Sequence, residues 1–316
     1  MRALRYGSYG GLDRCELADA GEPEREPGRI LVRVRRAALN PKDVLVRKGK
    51  FRILSGRNFP KLSGLDFAGE VTLDPTGELE PGARVFGALD EYAYRRGTLA
   101  ELVSVRPREL ARLPDGVDFD HGAAIALCGL TALQALRDRA RLPDRAAVLV
   151  HGASGGLGTA ALQIARLLGA AAVESVSSSR NLELCRSLGA TEAFDYEQDD
   201  FLAGRPGGYD CIFDAYGTLT LRRVADVLSE RGVFVSAIPT PARWVKSVIG
   251  KIVPLRERLV IVKPDRSDLD RLASWMESGA LRPVIDSRFP LERWRDAFGV
   301  LESKRARGKI VIEVDR

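Results

Sequence analysis

Histidine is nearly missing from the 316-residue sequence: His121 and His151 are the only two. Chemistry that leans on several imidazoles is therefore not expected. Cysteine is sparse as well. Cys15, Cys128, Cys185 and Cys211 are scattered, with no two within 15 residues, so neither a disulfide rhythm nor a clustered thiolate metal site is legible. That pattern suits a reducing cytosol. No apolar run reaches the roughly 18 residues of a membrane-crossing helix, and the opening "MRALRYGSYGG" lacks the apolar core of a secretory signal. The expectation is a cytoplasmic chain without stable membrane insertion. Internal repeats and low-complexity segments are also missing. Lys and Arg number 49 against 43 acids, a net charge of +6. A basic balance can mean nucleic acid, an anionic membrane surface or a phosphorylated ligand. This excess is small and forms no long block, so it reads as a solvated, arginine-rich surface, with no nucleic-acid partner expected.

What is present changes character along the chain. Residues 30–36, "ILVRVRR", alternate Val32 and Val34 with Arg33 and Arg35, the signature of a half-exposed antiparallel strand. Through residue 115 the text stays strand-like and broken by Gly, Pro and Asp. From Asp120, read as an N-terminal cap, "DHGAAIALCGLTALQALRDRA" predicts a long helix. Strands and helices then alternate: "AAVLV", "LGTAALQIARLLG", "AAVESV", "NLELCRSLG", "YDCIFDA", "LRRVADVLSERG" (helical) and "VFVSAI". Apolar strands separated by amphipathic helices imply a parallel sheet covered on both faces. The tail returns to strand and helix patterns like those of the first part, so the alternating region reads as an insertion.

Between the first of these strands and its helix lies "ASGGLG", Ala153–Gly158. Strand, glycine turn and helix in that order give a weak glycine pattern meaning. Gly155 lets the backbone approach a pyrophosphate, Gly158 lets the helix sit close to the sheet, and helix N–H groups meet the phosphate charge. Ala153 stands where the first glycine of the dinucleotide fingerprint would be. An acid about 20 residues on ordinarily binds the ribose hydroxyls of NAD. Ser177 occupies that place, 19 residues after Gly158, with Arg180 close behind. Hydroxyls and a guanidinium suit a 2′-phosphate, so NADPH is expected over NADH. Glu174 keeps NADH open, should the strand end early.

Seven segments, "NPKD", "GLDFAGEV", "GLTALQAL", "HGASGGLG", "SLGATEAFDY", "FDAYG" and residues 282–314, are similar in order to landmarks of a known family. On these the chain resembles the zinc-independent quinone oxidoreductases of the medium-chain dehydrogenase/reductase superfamily. The resemblance implies an α/β fold: a GroES-like, β-rich catalytic domain, 1–119 and 265–316, with a Rossmann doubly wound parallel sheet inserted at 120–264. It implies that Asn40 and Thr131 face the nicotinamide and that Ala153, Gly155, Gly156 and Leu157 line the pyrophosphate. Ser177, Ser178, Arg180 and Tyr196 would form the 2′-phosphate pocket, with Tyr216 and Ile238 flanking ribose and nicotinamide. Read as residues alone, Asn40 also fits an Asn-Pro turn, Thr131 a packed helix position and Tyr196 a surface tyrosine. Zinc-dependent relatives carry a histidine where Leu65 stands, so no metal is expected.

The implied chemistry is hydride transfer from NADPH to a quinone or an α,β-unsaturated carbonyl, with protein hydrogen bonds to the developing oxyanion. Asn40, Lys42 and Tyr92 are the candidate catalytic residues, and Lys48 and Tyr94 are further polar groups at the expected mouth. Glu91 departs from the family's small residue in the same loop. Residues 241–264 read as a lid, a dimer surface or a membrane-touching helix, and "RLVIV" within them predicts a homodimer through strand pairing. Two other readings stay open: an enoyl-thioester reductase, and an NADPH-binding protein with weak catalysis that serves as a sensor or binds nucleic acid.

Overall fold

The computed structural model of the chain describes residues 1–24, 26–203, 205, 207–240, 242–243 and 255–314. Two units divide it: Met1–Leu127 with Lys263–Arg316, and Cys128–Val262. The first boundary falls inside a helix, not at its start near residue 120.

The first unit is built from strands. β1 (Arg2–Tyr6) pairs antiparallel with β2 (Cys15–Asp19) and β4 (Lys61–Leu62). A larger sheet is centred on β3 (Ile30–Ala38) and β5 (Asp66–Leu73) and continues through β6 (Arg84–Ala88) to β8 (Leu110–Arg112). β7 (Leu102–Val105) pairs with β3. Along β3 the expected alternation holds: Ile30, Val32 and Val34 are buried while Arg33 is exposed. Two short helices, α1 (Pro41–Arg47) and α2 (Arg52–Ser55), lie between β3 and β4. The tail adds helices Arg266–Glu277 and Trp294–Ser303 and strands β15 (Ile285–Pro290) and β16 (Lys309–Glu313). β16 pairs antiparallel with β3, closing the chain's end onto its beginning.

α3 (Phe119–Leu133) begins one residue before the expected cap. The capping carboxylate is Asp118, which accepts the His121 N–H at 2.8 Å. Asp120 is instead paired with Arg36 at 2.7 Å and with Arg288. The helix runs on as a π-type turn over Gln134–Ala140. Against the reading that no stretch is apolar enough, Phe119–Ala140 has the length and composition to cross a membrane. Its apolar window is 78% buried inside the protein, the mark of a core helix.

The second unit holds one six-stranded parallel sheet, ordered β11-β10-β9-β12-β13-β14. Its strands are β9 (Ala147–His151), β10 (Ala172–Ser177), β11 (Glu192–Asp195), β12 (Tyr209–Asp214), β13 (Leu228–Ser236) and β14 (Glu257–Leu259). Counted within the unit, the order is 3-2-1-4-5-6, whose direction reverses at β9. α4 (Gly156–Leu167) follows β9, and α5 (Leu182–Ser187) follows β10. α4 is enclosed on all sides from Gly158 to Ala165, which its single expected face understates. The helix expected over 221–232 is shorter: helical turns end at Val227 and Leu228 already pairs with Tyr209 in the sheet. Sheet pairing overrides the helical periodicity there.

Candidate functional site

The sheet of the second unit changes direction where β9 lies between β10 and β12, and ligands of such sheets bind beyond the strand ends at that point. The glycine turn sits there. Gly152 adopts φ +76°, and a β-carbon on it would meet the Tyr216 Cβ at 2.8 Å, so its bareness lets the β12 exit loop close on the turn. A β-carbon on Gly158 would meet the Gly152 carbonyl oxygen at 2.3 Å and the Ala153 Cα at 2.6 Å. Packing alone therefore demands glycine at 158. Gly155 is different. Its φ of −78° suits any residue, and a β-carbon there would find only the Gly152 oxygen, at 3.7 Å. No packing contact among the described residues requires glycine at 155.

Gly155 is also the N-cap of α4 and offers no side chain to the helix N-terminus. First-turn N–H groups have no intrahelical acceptor, and they carry the positive end of the helix dipole. Gly156 and Leu157 are half-buried at this end, whereas Ala153 is fully buried and donates its N–H to the Val176 carbonyl at 3.1 Å. Ala153 thus lies beneath the turn, where its small size matters.

At the tip of β10 the expected phosphate pocket divides in two. Ser177 is buried, with its hydroxyl 3.6 Å from the Cys185 sulfur and 3.4 Å from the Ser178 carbonyl. Ser178 is half-buried and Arg180 exposed. Tyr196, 53% exposed, joins them because its N–H donates to the Ser177 carbonyl at 3.1 Å. Glu174 lies back within the strand, buried, accepting the Tyr209 hydroxyl at 2.5 Å and an Arg205 ion pair. Its carboxylate is not at the strand tip. Asn181 went unnoticed in the sequence although it directly follows Arg180. Its Nδ2 donates to Ser154 Oγ at 3.0 Å and Ser178 Oγ at 3.1 Å, linking the glycine turn to this pocket. Its Oδ1 is buried without a partner among the described residues.

Asp214 and His151 lie within the segments "FDAYG" and "HGASGGLG", although the sequence assigns neither a role. Asp214, at the end of β12, is fully buried and accepts the His151 Nδ1 contact at 2.9 Å. It also accepts the N–H groups of Tyr216, Gly217 and Leu219 at 3.2, 2.7 and 3.1 Å. One carboxylate thereby shapes the whole exit loop and sets Tyr216, 51% exposed, beside the turn. Gly217, at φ +97°, admits Ile238: a β-carbon there would meet its Cγ1 at 2.6 Å. Thr131 is half-buried in α3.

In the first unit the candidate polar residues gather around a buried cluster. Asn40 donates to Asp66 Oδ2 at 2.9 Å and to the Ala38 carbonyl at 3.3 Å, while its Oδ1 accepts Lys309 Nζ at 2.7 Å. Lys309 also reaches Asp66 Oδ2 at 2.7 Å, and Asp66 Oδ1 accepts the Leu127 N–H at 2.8 Å. Asp43 accepts the Asn40 N–H at 2.8 Å and the Tyr94 hydroxyl at 3.3 Å. Burial raises the Asp43 carboxyl to about 7, with the Asp66 charge adding to it.

Tyr94, expected at a mouth, is buried, and burial followed by the Asp43 charge pushes its hydroxyl well above the ordinary range. Lys48 is exposed and paired with Glu302 at 2.6 Å. Lys42 and Tyr92 do come together: the ammonium lies 4.4 Å from the ring centroid and 3.4 Å from the Glu91 carbonyl. Burial lowers the Lys42 ammonium below its usual value, and burial raises Tyr92. Glu91, the departure in this loop, is held by Arg96 at 3.1 Å, and Arg96 grips the fully buried Glu109 at 2.6 and 2.9 Å.

Two family models match the chain, "Alcohol dehydrogenase GroES-like domain" over residues 26–115 and "Zinc-binding dehydrogenase" over 188–312. The NADPH-dependent alkenal/one oxidoreductase of Arabidopsis thaliana is 33% identical over 99% of this chain and 79% of its own. The chloroplast envelope quinone oxidoreductase homolog of the same plant is 32% identical over 99% and 98%. The chain belongs to the medium-chain dehydrogenase/reductase superfamily. Within it, the chain is quinone oxidoreductase-like. The solved quinone oxidoreductase of Coxiella burnetii superposes with a TM-score of 0.89 at 28% identity, covering 100% of this chain and 99% of that one. The first unit is the superfamily's GroES-like domain and the second its Rossmann domain. Among the described residues no group of three His, Cys, Asp or Glu is placed to hold a metal ion, and Leu65 is a buried apolar residue.

Proposed function

We propose that the chain is an NADPH-dependent reductase of quinones or α,β-unsaturated carbonyls. The observation that carries this reading is Gly155, a glycine that the fold does not need, at the switch point of a 3-2-1-4-5-6 sheet. When bound, NADPH supplies a hydride from its nicotinamide ring. The bare turn and the N-terminus of α4 bind the pyrophosphate, Asn181 braces Ser154 and Ser178, and Arg180 and Tyr196 take the 2′-phosphate. Glu174, committed to Tyr209 and Arg205, does not compete for a ribose hydroxyl, which supports NADPH over NADH. Tyr216 and Ile238 flank the nicotinamide end, Thr131 lines it, and Asp214 keeps their loop in shape.

Lys42 and Tyr92 are proposed to donate to the acceptor's oxygen as negative charge grows on it. Asn40, whose amide is spent on Asp66 and Lys309, positions Asp43 and α1. The relatives' names support the acceptor class, since one is an alkenal/one oxidoreductase and the other a quinone oxidoreductase homolog. A homodimer is proposed through β14, whose outer edge is unpaired among the described residues. Of the segment 241–264, expected to be a lid, an interface or a membrane-touching helix, residues 241 and 244–254 lie outside the described residues and Glu257–Leu259 forms β14.

NADPH and NADH titrations of the wild type and Arg180→Ala test the cofactor assignment. Loss of a charge-assisted bond costs about 10- to 100-fold in NADPH affinity and leaves NADH nearly unchanged. Equal loss for both cofactors removes the phosphate-pocket assignment. A panel of quinones, enones and enoyl-thioesters then identifies the acceptor, and cofactor binding with no turnover on any of them would favour a binding protein.

A further inference from the structure

Between Asp43 and Asp66 the chain carries Arg47, Lys48, Lys50, Arg52, Arg57 and Lys61 and no acid. Three of these cations are occupied. Arg47 and Lys48 pair with Glu302, and Lys61 donates to the carbonyls of Ser55 and Ala93. The other three, Lys50, Arg52 and Arg57, are exposed and have no ion-pair or hydrogen-bond partner for their side chains among the described residues. Amid them α2 raises Ile53, 94% exposed, and Leu54, 51% exposed. Scattered exposed aliphatics are ordinary; two adjacent ones flanked in the sequence by three exposed, unpaired cations and no acid are not.

The turn that presents them is anchored from below. The Tyr9 hydroxyl bonds Ser55 Oγ at 2.6 Å, Ser55 Oγ donates to the Phe51 carbonyl at 3.0 Å, and Tyr9 and Phe59 stack edge to face at 4.9 Å. The single Tyr9 hydroxyl proton is shared between Ser55 Oγ and the Gly56 carbonyl. The apolar tip is thus held outward while its base is tied down.

We propose that this face docks peripherally on an anionic lipid bilayer, with Ile53 and Leu54 entering the headgroup–acyl boundary and Lys50, Arg52 and Arg57 meeting the headgroups. Branched aliphatic tips among cations match such a surface. A protein partner fits less well, because four residues of convex turn supply little of the roughly 800 Å² that a stable interface needs from each side. Single-stranded nucleic acid fits less well because its binders stack bases on aromatic rings, and the tip here is aliphatic. The docking is independent of the proposed reaction.

Co-sedimentation of the full chain with phosphatidylcholine vesicles, with and without phosphatidylglycerol, tests it. The wild type pellets with the anionic vesicles, stays in solution with the neutral ones, and is released by salt. Each cation near an anionic leaflet contributes about fivefold to partitioning, so Lys50→Glu/Arg52→Glu/Arg57→Glu lowers it about 100-fold or more. Ile53→Ser lowers it about tenfold. Because these side chains are exposed and, in the cations' case, unpaired, the variants melt at the wild-type temperature. A wild type that remains in solution with anionic vesicles at low salt overturns the proposal. So does equal pelleting of wild type and variants, or RNA binding that Ile53→Ser leaves intact and that exceeds vesicle binding.

Discussion

Asp43 is wholly enclosed, and burial holds its carboxyl at about 7 against an ordinary 3.8. The folded chain therefore binds this proton more tightly than the unfolded chain does. Between pH 4 and about 7 it carries more of that proton, so stability falls as pH rises through the window and levels off above it. Ionising the group in place costs about 4 kcal/mol in all, of which about 3 falls between pH 5 and 8. Asp43→Asn removes the titrating proton and keeps an amide oxygen to accept the Asn40 N–H, with the Tyr94 hydroxyl turning to accept from the amide nitrogen. The variant should lack this slope. Urea unfolding at pH 5 and pH 8 reads it out. The wild-type midpoint drops further than that of Asp43→Asn, and the variant's advantage widens with pH. Parallel movement of the two midpoints refutes the argument, because the carboxyl would then already be ionised in the folded chain at pH 5.

Removing the Lys309 ammonium isolates a buried carboxylate. Lys309→Met leaves Asp66, among the described residues, with the Asn40 amide and the Leu127 N–H as side-chain partners, and should destabilise the chain by about 3–5 kcal/mol, measured as a fall in the urea midpoint. The two glycines of the turn should separate cleanly. Gly158→Ala places a methyl 2.3 Å from the Gly152 oxygen and should cost about 1–3 kcal/mol in thermal stability. Gly155→Ala, with only the Gly152 oxygen at 3.7 Å before it, should lower melting less than Gly158→Ala does and weaken NADPH about tenfold or more in a fluorescence titration.

Much of the second unit could be read in advance because its signals are local. A strand, a glycine turn and an amphipathic helix are contiguous text, and "FDAYG" already contained the Asp214 that shapes the exit loop. Several of the differences share a cause, because distant chain decides them. Leu228 leaves its helical pattern because Tyr209 offers a sheet partner. Asp120 is drawn from capping by Arg36 and Arg288, the latter from the far end of the sequence. The Asn40–Asp66–Lys309 cluster joins residues up to 269 positions apart, and no spacing rule announces it. Ser177 ends β10, and alternation along the strand turns its hydroxyl toward Cys185 and leaves Ser178 nearer the surface.

The most direct test of the proposed chemistry follows the hydride itself. NADPH deuterated at the transferable nicotinamide position is incubated with the chain and an α,β-unsaturated ketone, with and without a strong chelator, and the product is analysed by mass spectrometry and NMR. Direct hydride transfer without a metal places one deuterium on the β-carbon of the saturated ketone, in equal yield with and without chelator. Deuterium absent from the product, or transfer that the chelator abolishes, would contradict it.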